Sequence, residues 1–309
     1  MTLRFGIEHM QASLLMQHAS ARQSHRTTSL GGASDPHELD VDVASLASQL
    51  ADLGFRLMEL NPDLTIFFPH CYDLPALKRL AELKNRRHLE YTVHLPLWSL
   101  EPSTPMQAVR DGSVDTLVDA VLRVAPLEPE IHVLHATGAL AAEFARMRAL
   151  ENARSLVLGL LVTQARRSIE QLLERTGLRP RNLAIETIEF PFDLTLGLAE
   201  EFDLSVCLDA GHVVAGYTTG VTLEEAMQRV LPRLGEVHLH DAYRRVGPDG
   251  SVRVADHLPL GSGDLPLGPF LDGLANAGFS GPIILELTVE EAQTSLEAIR
   301  SVKPELLAP

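Results

Sequence analysis

Four short apolar runs in the second half of this chain end in, or next to, a residue that binds hard metal ions. Glu186 ends Leu-Ala-Ile-Glu, Asp209 ends Val-Cys-Leu-Asp, His238 ends Glu-Val-His and Glu286 ends Ile-Ile-Leu-Glu. Side chains at the carboxyl ends of parallel strands converge on one mouth when a sheet closes into a (β/α)8 barrel. Carboxylate and imidazole donors without thiolate suit Zn²⁺, Mn²⁺ or a similar divalent ion. The pattern therefore predicts a metalloenzyme on a barrel.

Strand-like and helical patterns alternate along the chain, which predicts an α/β fold with a parallel sheet. Eight such strands in 309 residues favour a (β/α)8 TIM barrel forming a single domain over residues 1–309. A doubly wound open sheet is the alternative, although no glycine-rich dinucleotide or phosphate-binding fingerprint supports it. The predicted strands are 3–8, 56–60, 91–95, 131–136, 183–187, 205–209, 236–240 and 283–287.

Helix boundaries carry recognisable signals. Apolar residues spaced by three and four precede Gly54, which predicts a helix that ends there. Thr222 with Glu225, and Thr288 with Glu291, have the spacing of capping boxes.

Two segments interrupt the regular alternation. Residues 10–37 follow the first strand and are rich in Ser, Gln, His and Gly, so we expect a long loop on the active-site side that could act as a lid. Residues 243–263 follow the seventh strand and contain a Gly-Pro-Asp-Gly turn that starts at Gly247.

Composition excludes several classes of function. The formal net charge of −15 and the pI near 5.3 disfavour binding to a nucleic-acid backbone. No run approaches the roughly 18 apolar residues of a membrane helix, and the first thirty residues lack a signal-peptide core. Two cysteines imply no disulfide framework. We expect a cytoplasmic protein that acts on a small molecule, with its oligomeric state left open.

Histidines extend the candidate metal site. His94 and His135 each close a strand-like run, His212 lies three residues beyond Asp209, and His257 precedes Leu-Pro-Leu-Gly-Ser-Gly. His238 and His240 share one face of their strand, because side chains alternate along a strand. His132 has the opposite parity to His135, so we interpret it as a packing residue.

These residues together resemble the xylose-isomerase-like TIM-barrel superfamily, which contains sugar isomerases, sugar epimerases and endonuclease IV-type phosphodiesterases. The resemblance implies that Glu186, Asp209, His238 and Glu286 bind one divalent ion, as in the single-metal epimerases. It also implies that further ions, to a total of one to three of Zn or Mn, would use His94, His135, His212 and His257. One departure concerns the third ion, since those nucleases have Asp-x-His where Asp256 and His257 are adjacent here.

A narrower resemblance links the chain to the cobamide-remodelling phosphodiesterases of this superfamily. It is carried by Tyr-Thr-Val-His-Leu-Pro-Leu around His94, Phe-Pro-Phe-Asp-Leu from Phe190, Leu-Ser-Val-Cys-Leu-Asp-Ala-Gly-His up to His212, and Asp-His-Leu from Asp256. The resemblance implies metal-dependent hydrolysis of the phosphodiester in the nucleotide loop of a corrinoid. Glu186, Glu286 and His212 are then the candidate catalytic residues.

Two other functions remain open. A divalent-metal-dependent sugar or sugar-phosphate isomerase or epimerase would use Glu186 and Glu286 as ligands and acid–base groups around an enediolate. A non-catalytic binder of metal or ligand would show no turnover with either class of substrate. Hydrolysis favours several ions and a wide mouth, whereas epimerisation needs one ion and a closed sugar pocket.

Overall fold

The computed structural model describes residues 2–8, 41–146 and 151–307. Eight parallel strands form a closed barrel in which each strand lies beside the next barrel strand along the chain, and the first strand pairs with both the second and the last. The prediction of a (β/α)8 barrel is confirmed, and the open doubly wound alternative is wrong. The barrel strands are β1 (Arg4–Glu8), β2 (Leu57–Leu60), β3 (Glu90–His94), β4 (His132–Leu134), β5 (Leu183–Glu186), β6 (Ser205–Asp209), β7 (Leu234–His238) and β10 (Pro282–Leu285).

Helices surround the barrel and cover its outer face. They are α1 (Val43–Asp52), α2 (Leu74–Arg87), α3 (Gln107–Val124), α4 (Ala139–Arg146), α5 (Glu151–Thr176), α6 (Phe192–Glu201), α7 (Ala210–Ala215), α8 (Leu223–Val230), α9 (Leu267–Asn276) and α10 (Val289–Val302). Both predicted capping boxes are present, at Thr222 and Thr288. Gly54 follows α1 with a φ of 102°, as expected of a helix-ending glycine. Among the described residues, no helix is both long and apolar enough to cross a membrane.

The segment 243–263 contains an element that the sequence analysis did not predict. Strands β8 (Asp241–Val246) and β9 (Val252–Leu258) pair as an antiparallel hairpin beside the barrel. The predicted turn closes it, with the Gly250 amide donating to the Gly247 carbonyl at 3.0 Å. The hairpin was missed because its exposed half lacks the apolar alternation of a core strand. The other irregular segment, 10–37, lies outside the described residues.

The main apolar core lies between the barrel and its helices, while the barrel interior is filled in layers. Ile131, Val133, Ala184 and Cys207 form a small buried cluster inside the barrel. On β4, β5 and β6 the next inward-facing residue towards the carboxyl end is polar, because side chains alternate along a strand. The barrel therefore has an apolar lower interior and a polar upper interior. His132 faces the surrounding helices, as its parity predicted, and lines a cleft beside α3 and α5.

Gly6 provides a test of barrel packing. A Cβ atom there would lie 2.6 Å from Leu57 Cγ and 2.9 Å from Ile284 Cδ1. We expect Gly6→Ala to lower the free energy of unfolding by about 1–3 kcal/mol through overpacking. Urea titration measures the change. Gly112→Ala is the matched control, because Gly112 is exposed on α3 and an added Cβ atom would have no neighbour within 4 Å. Gly112→Ala should be more stable than the wild type by about 0.5–1 kcal/mol. Equal stability of Gly6→Ala and the wild type would contradict the tight packing of Gly6 against Leu57 and Ile284.

Candidate metal centre

The four residues at the ends of β5, β6, β7 and β10 come together at the carboxyl end of the barrel. His238 Nδ1 lies 3.1 Å from Glu286 Oε1, 3.6 Å from Glu186 Oε2 and 3.9 Å from Asp209 Oδ2. One imidazole nitrogen therefore faces three carboxylates from three other strands. Convergence follows from closure, since the carboxyl ends of neighbouring parallel strands point to the same mouth.

Two further histidines, at the ends of β3 and β4, contact the carboxylate of Glu186. Glu186 Oε2 lies 3.3 Å from His94 Nε2 and 2.9 Å from His135 Nε2. The two imidazole rings lie 5.1 Å apart between centroids. One donor atom from each of these three residues lies within 4.8 Å of the others, which suits a second ion beside the first.

A third group of donors lies on the hairpin side of the mouth. His212 Nδ1 lies 3.1 Å from Glu186 Oε1 and 3.0 Å from Asp209 Oδ2. His257 Nε2 lies 3.6 Å from Glu286 Oε2, and the His257 side chain is 46% exposed. All eight predicted ligands are thus assembled, with His257 at the solvent-exposed edge.

The backbone of His257 explains how adjacent residues can share this site. Neighbouring side chains on a regular strand point to opposite faces. His257 has a φ of 49°, which breaks that alternation. Asp256 Oδ2 consequently lies 3.3 Å from His257 Nδ1 and 3.8 Å from His212 Nε2. The departure from Asp-x-His spacing does not separate the two side chains.

Charge balance in this site requires cations. The side chains of Glu186 and Asp209 are 1% and 0% exposed, and that of Glu286 is 9% exposed. Among the described residues, only histidines form ion pairs with these three carboxylates, with no lysine or arginine within 4.0 Å. Buried carboxylates without a fixed positive charge are strongly destabilising unless protons, metal ions or several hydrogen-bond donors compensate them.

The pKa values in this site are shifted in the directions that favour protonated imidazoles beside ionised carboxylates. Burial lowers the pKa of His94, but the hydrogen bond to Glu186 and the charge of Glu59 outweigh burial and raise it to about 9. Burial likewise raises the pKa of Glu186, but the charge and hydrogen bond of His135 hold it well below its usual range. Imidazolium protons therefore neutralise the carboxylates when no metal is bound.

Several buried atoms lack a hydrogen-bond partner and point to a missing cation. They include Glu286 Oε2 and both ring nitrogens of His238, which lie near carboxylates but form no well-aligned hydrogen bond with them. Unpartnered oxygen and imidazole donors at one point are the ligands that Zn²⁺ and Mn²⁺ prefer. The donor set therefore fits the divalent ion expected from the sequence.

Sequence analysis gave no role to Glu59, His240 or Asp256. Glu59 is fully buried on β2, and its Oε1 lies 3.4 Å from His238 Nε2, on the side of the ring opposite the three carboxylates. A carboxylate behind a metal-binding histidine orients the ring. The signal was available, since Glu59 is an acid inside an apolar run, the same pattern that identified Glu186. Asp256 was named as part of a sequence phrase and as a departure from the expected spacing, with no role in the site.

Glu236 is a buried acid on β7, one layer below the candidate ligands. It is fully buried and accepts a hydrogen bond from Thr92 Oγ1 at 3.0 Å. Burial and the nearby charge of Glu59 raise the pKa of Glu236 well above its usual range. The polar interior thus continues one layer below the predicted ligands.

Fold and site together define a TIM-barrel protein with a cluster of histidines and carboxylates that could hold metal ions. The chain matches the family described as Xylose isomerase-like TIM barrel over residues 47–304. It belongs to that family.

Similar proteins include sugar epimerases and a nuclease. The chain is 25% identical over 274 residues, 85% of each chain, to an uncharacterised protein, MJ1311, of Methanocaldococcus jannaschii. The structure of a D-tagatose 3-epimerase-like protein superposes with a TM-score of 0.67 at 18% identity, covering 98% of both chains. Endonuclease IV from Thermus thermophilus superposes with a TM-score of 0.59 at 19% identity, covering 98% of this chain and 99% of its own. These structural similarities concern the fold.

Metal content tests the primary ligand set. Glu286→Ala should remove most of the bound metal, because it deletes one of four ligands and leaves the His238 ring without its nearest carboxylate. Elemental analysis of purified protein measures the loss. Glu174→Ala on the exposed face of α5 is the control and should retain full metal. Full occupancy in Glu286→Ala would contradict the assignment.

Metal affinity should also depend on pH. Binding of a second ion at His94, His135 and Glu186 requires loss of the proton from His94, whose pKa is about 9, so the affinity for that ion should rise between pH 6.5 and 8.5. The expected slope is roughly tenfold per pH unit for each proton displaced. Isothermal titration with Mn²⁺ measures it. A histidine with the ordinary pKa of about 6.5 would level off near neutral pH, so a flat profile above pH 7 would refute the coupling.

Proposed function

We propose that this protein is a metal-dependent phosphodiesterase that hydrolyses the nucleotide-loop phosphodiester of a cobamide. The observation that carries the proposal is the position of Glu186 between separate groups of donors. Its Oε2 faces His94 and His135, while its Oε1 faces His212. A carboxylate whose two oxygens face separate groups of donors could hold more than one divalent ion, and phosphoester-cleaving sites commonly use two.

The number of histidines supports more than one ion. A single ion with four ligands would use Glu186, Asp209, His238 and Glu286, and would leave the buried imidazoles of His94, His135 and His212 without that role. When bound, divalent ions polarise phosphoryl oxygens and make water a stronger nucleophile at neutral pH. The extra donors suit that requirement better than they suit sugar epimerisation.

The residues of the chain have separable tasks in this reaction. Glu186 and Asp209 hold the donor groups at fixed spacing, and Glu286 completes the primary set. His212 Nε2 faces Asp256 Oδ2 at 3.8 Å, beside the exposed His257. From this edge of the site, His212 can donate a proton to the leaving oxygen. The oxygen of water bonds to phosphorus, the bond from phosphorus to the nucleoside oxygen breaks, and that oxygen takes up the proton.

An apolar rim at the mouth supports a large substrate. Phe67 and Trp98 are 57% and 38% exposed, and their rings lie 5.8 Å apart between centroids. Both follow barrel strands at the carboxyl end, β2 and β3. Asp63 Oδ2 accepts from the backbone amide of Trp98 at 3.1 Å and fixes this loop. Exposed aromatic rings beside a charged centre suit a substrate that combines a macrocycle with a phosphodiester.

A sugar isomerase or epimerase is the second candidate. Glu186 and Glu286 approach His238 Nδ1 from two different strands, at 3.6 Å and 3.1 Å. Two carboxylates on either side of one pocket suit proton transfer on both faces of a sugar. The similar epimerase structures favour this candidate at the level of fold.

Incubation with a complete cobamide separates the two chemistries. The metal-loaded enzyme should release a phosphorylated corrinoid and a free nucleoside, with one ¹⁸O atom from labelled water in the phosphate. Mass spectrometry detects both products. Glu186→Gln should lack activity, whereas Glu174→Gln on the exposed face of α5 should retain it. Interconversion of ketoses without cobamide cleavage would overturn the first choice in favour of the second.

The extra histidines give a second test. Replacing His94 and His135 together by Ala should abolish cleavage while leaving the primary ion bound, because neither belongs to the four-residue set. Elemental analysis and the cobamide assay on the same sample measure both effects. Retained cleavage would exclude a role for these histidines in phosphodiester hydrolysis.

A further inference from the structure

His240 is a fully buried histidine between the metal centre and the hairpin. Its Nε2 lies 3.2 Å from both carboxylate oxygens of Asp209. Its Nδ1 lies 2.9 Å from the backbone nitrogen of His257, whose N–H points at it. The ring therefore links a candidate metal ligand on β6 to the backbone of β9.

The backbone amide of His257 determines the tautomer of this ring. An N–H group can donate only to an unprotonated nitrogen, so Nδ1 is the acceptor and the proton of the neutral ring is on Nε2. The carbonyl of Asp241 also lies 3.2 Å from Nδ1, but two acceptors form no hydrogen bond. A histidine that binds a metal through Nε2 needs its proton on Nδ1. His240 accordingly lacks the tautomer of a metal ligand and has that of a donor to Asp209.

Two local features hold the ring in place. The left-handed φ of His257 directs its amide at His240 and stacks the two rings at 4.2 Å between centroids, with an interplanar angle of 10°. Such a backbone conformation is unfavourable for a non-glycine residue, so the surrounding contacts must hold it. On the other side, a Cβ atom on Gly211 would lie 2.0 Å from His240 Cε1. The glycine of Asp-Ala-Gly-His thus leaves room for the ring.

We propose that His240 is a positioning residue: through Nε2–H it holds the carboxylate of Asp209 in its metal-binding orientation, and Gly211 is required because it accommodates that ring. The inference rests on the proposed metal centre and does not depend on the substrate. It also connects the hairpin to metal affinity through a single side chain.

A double-mutant cycle tests the proposal, with Mn²⁺ alone as the probe. His240→Ala should weaken Mn²⁺ binding about 10–100-fold, the usual effect of removing a hydrogen bond behind a ligand. Gly211→Ala should weaken binding similarly, because it displaces the ring. The double variant should be no weaker than His240→Ala, since the clash is absent once the ring is gone. Isothermal titration measures all four proteins, with Gly112→Ala as the matched control.

A conservative variant and a spectroscopic signature complete the design. His240→Gln keeps an N–H donor and should recover part of the lost affinity, which a purely structural role would not predict. The Co²⁺ absorption spectrum should keep the band positions of the wild type at saturating metal, because no ligand is lost. If His240→Ala does not fold, His240→Gln and Gly211→Ala carry the test through affinity and spectrum.

Three results would overturn the proposal. They are unchanged Mn²⁺ affinity in His240→Ala, additive losses in the double variant, and a Co²⁺ spectrum that reports a lost imidazole ligand. Failure of the proposed function is distinguishable from all three. It would appear as a wild-type protein that binds metal normally and follows the cycle but does not cleave a cobamide.

Discussion

The rest of the site depends on the ion pairs between the carboxylate of Glu186 and the histidines around it. The carboxylate is buried at the end of β5, and four imidazoles approach it, with distances from 2.9 to 3.6 Å. None of its described ion-pair partners carries a permanent positive charge. Such a group is compatible with folding only if protons or metal ions compensate it. The surrounding histidines provide for both, because imidazole binds either a proton or a metal ion near neutral pH.

The barrel provides the geometry that this compensation needs. Parallel pairing aligns the strand ends, and closure brings β5, β6, β7 and β10 around one point. The interior changes from apolar residues such as Ala184 and Cys207 to the ligand layer within two residues along a strand. Fixed strands hold donor atoms more rigidly than loops, which suits a centre whose spacing determines its reactivity.

The hairpin depends on a second buried carboxylate. Asp241 accepts hydrogen bonds from four backbone amides, those of Ala242, Gly261, Gly263 and Leu265, at 2.8 to 2.9 Å. A carboxylate with so many amide donors is stable without a cation. It anchors the Leu-Gly-Ser-Gly turn after His257 and thereby fixes the side of the mouth to which Asp256 and His257 belong. The two buried acids therefore differ in role. Backbone amides compensate Asp241, which supports the loop, whereas imidazoles compensate Glu186, which lies in the candidate metal site.

The sequence by itself determined the barrel and where the candidate ligand residues lie on it. Eight apolar runs separated by helical patterns leave few alternatives to closure, and hard ligands at four strand ends stand out against apolar neighbours. Both signals are local, because strand parity and position are read from adjacent residues. The structure brings together all eight histidines and carboxylates that the sequence indicated, including Glu186 and Glu286.

Only the tertiary structure decided which buried groups support those ligands. Glu59 reaches His238 across the barrel, and His240 meets the backbone of His257 through a hairpin that the pattern did not predict. The left-handed φ of His257 also brings Asp256 into the site, against the alternation of a regular strand. These relations depend on strand tilt, on cross-strand register and on one backbone dihedral angle. None of the three is encoded in the spacing of residues along the chain.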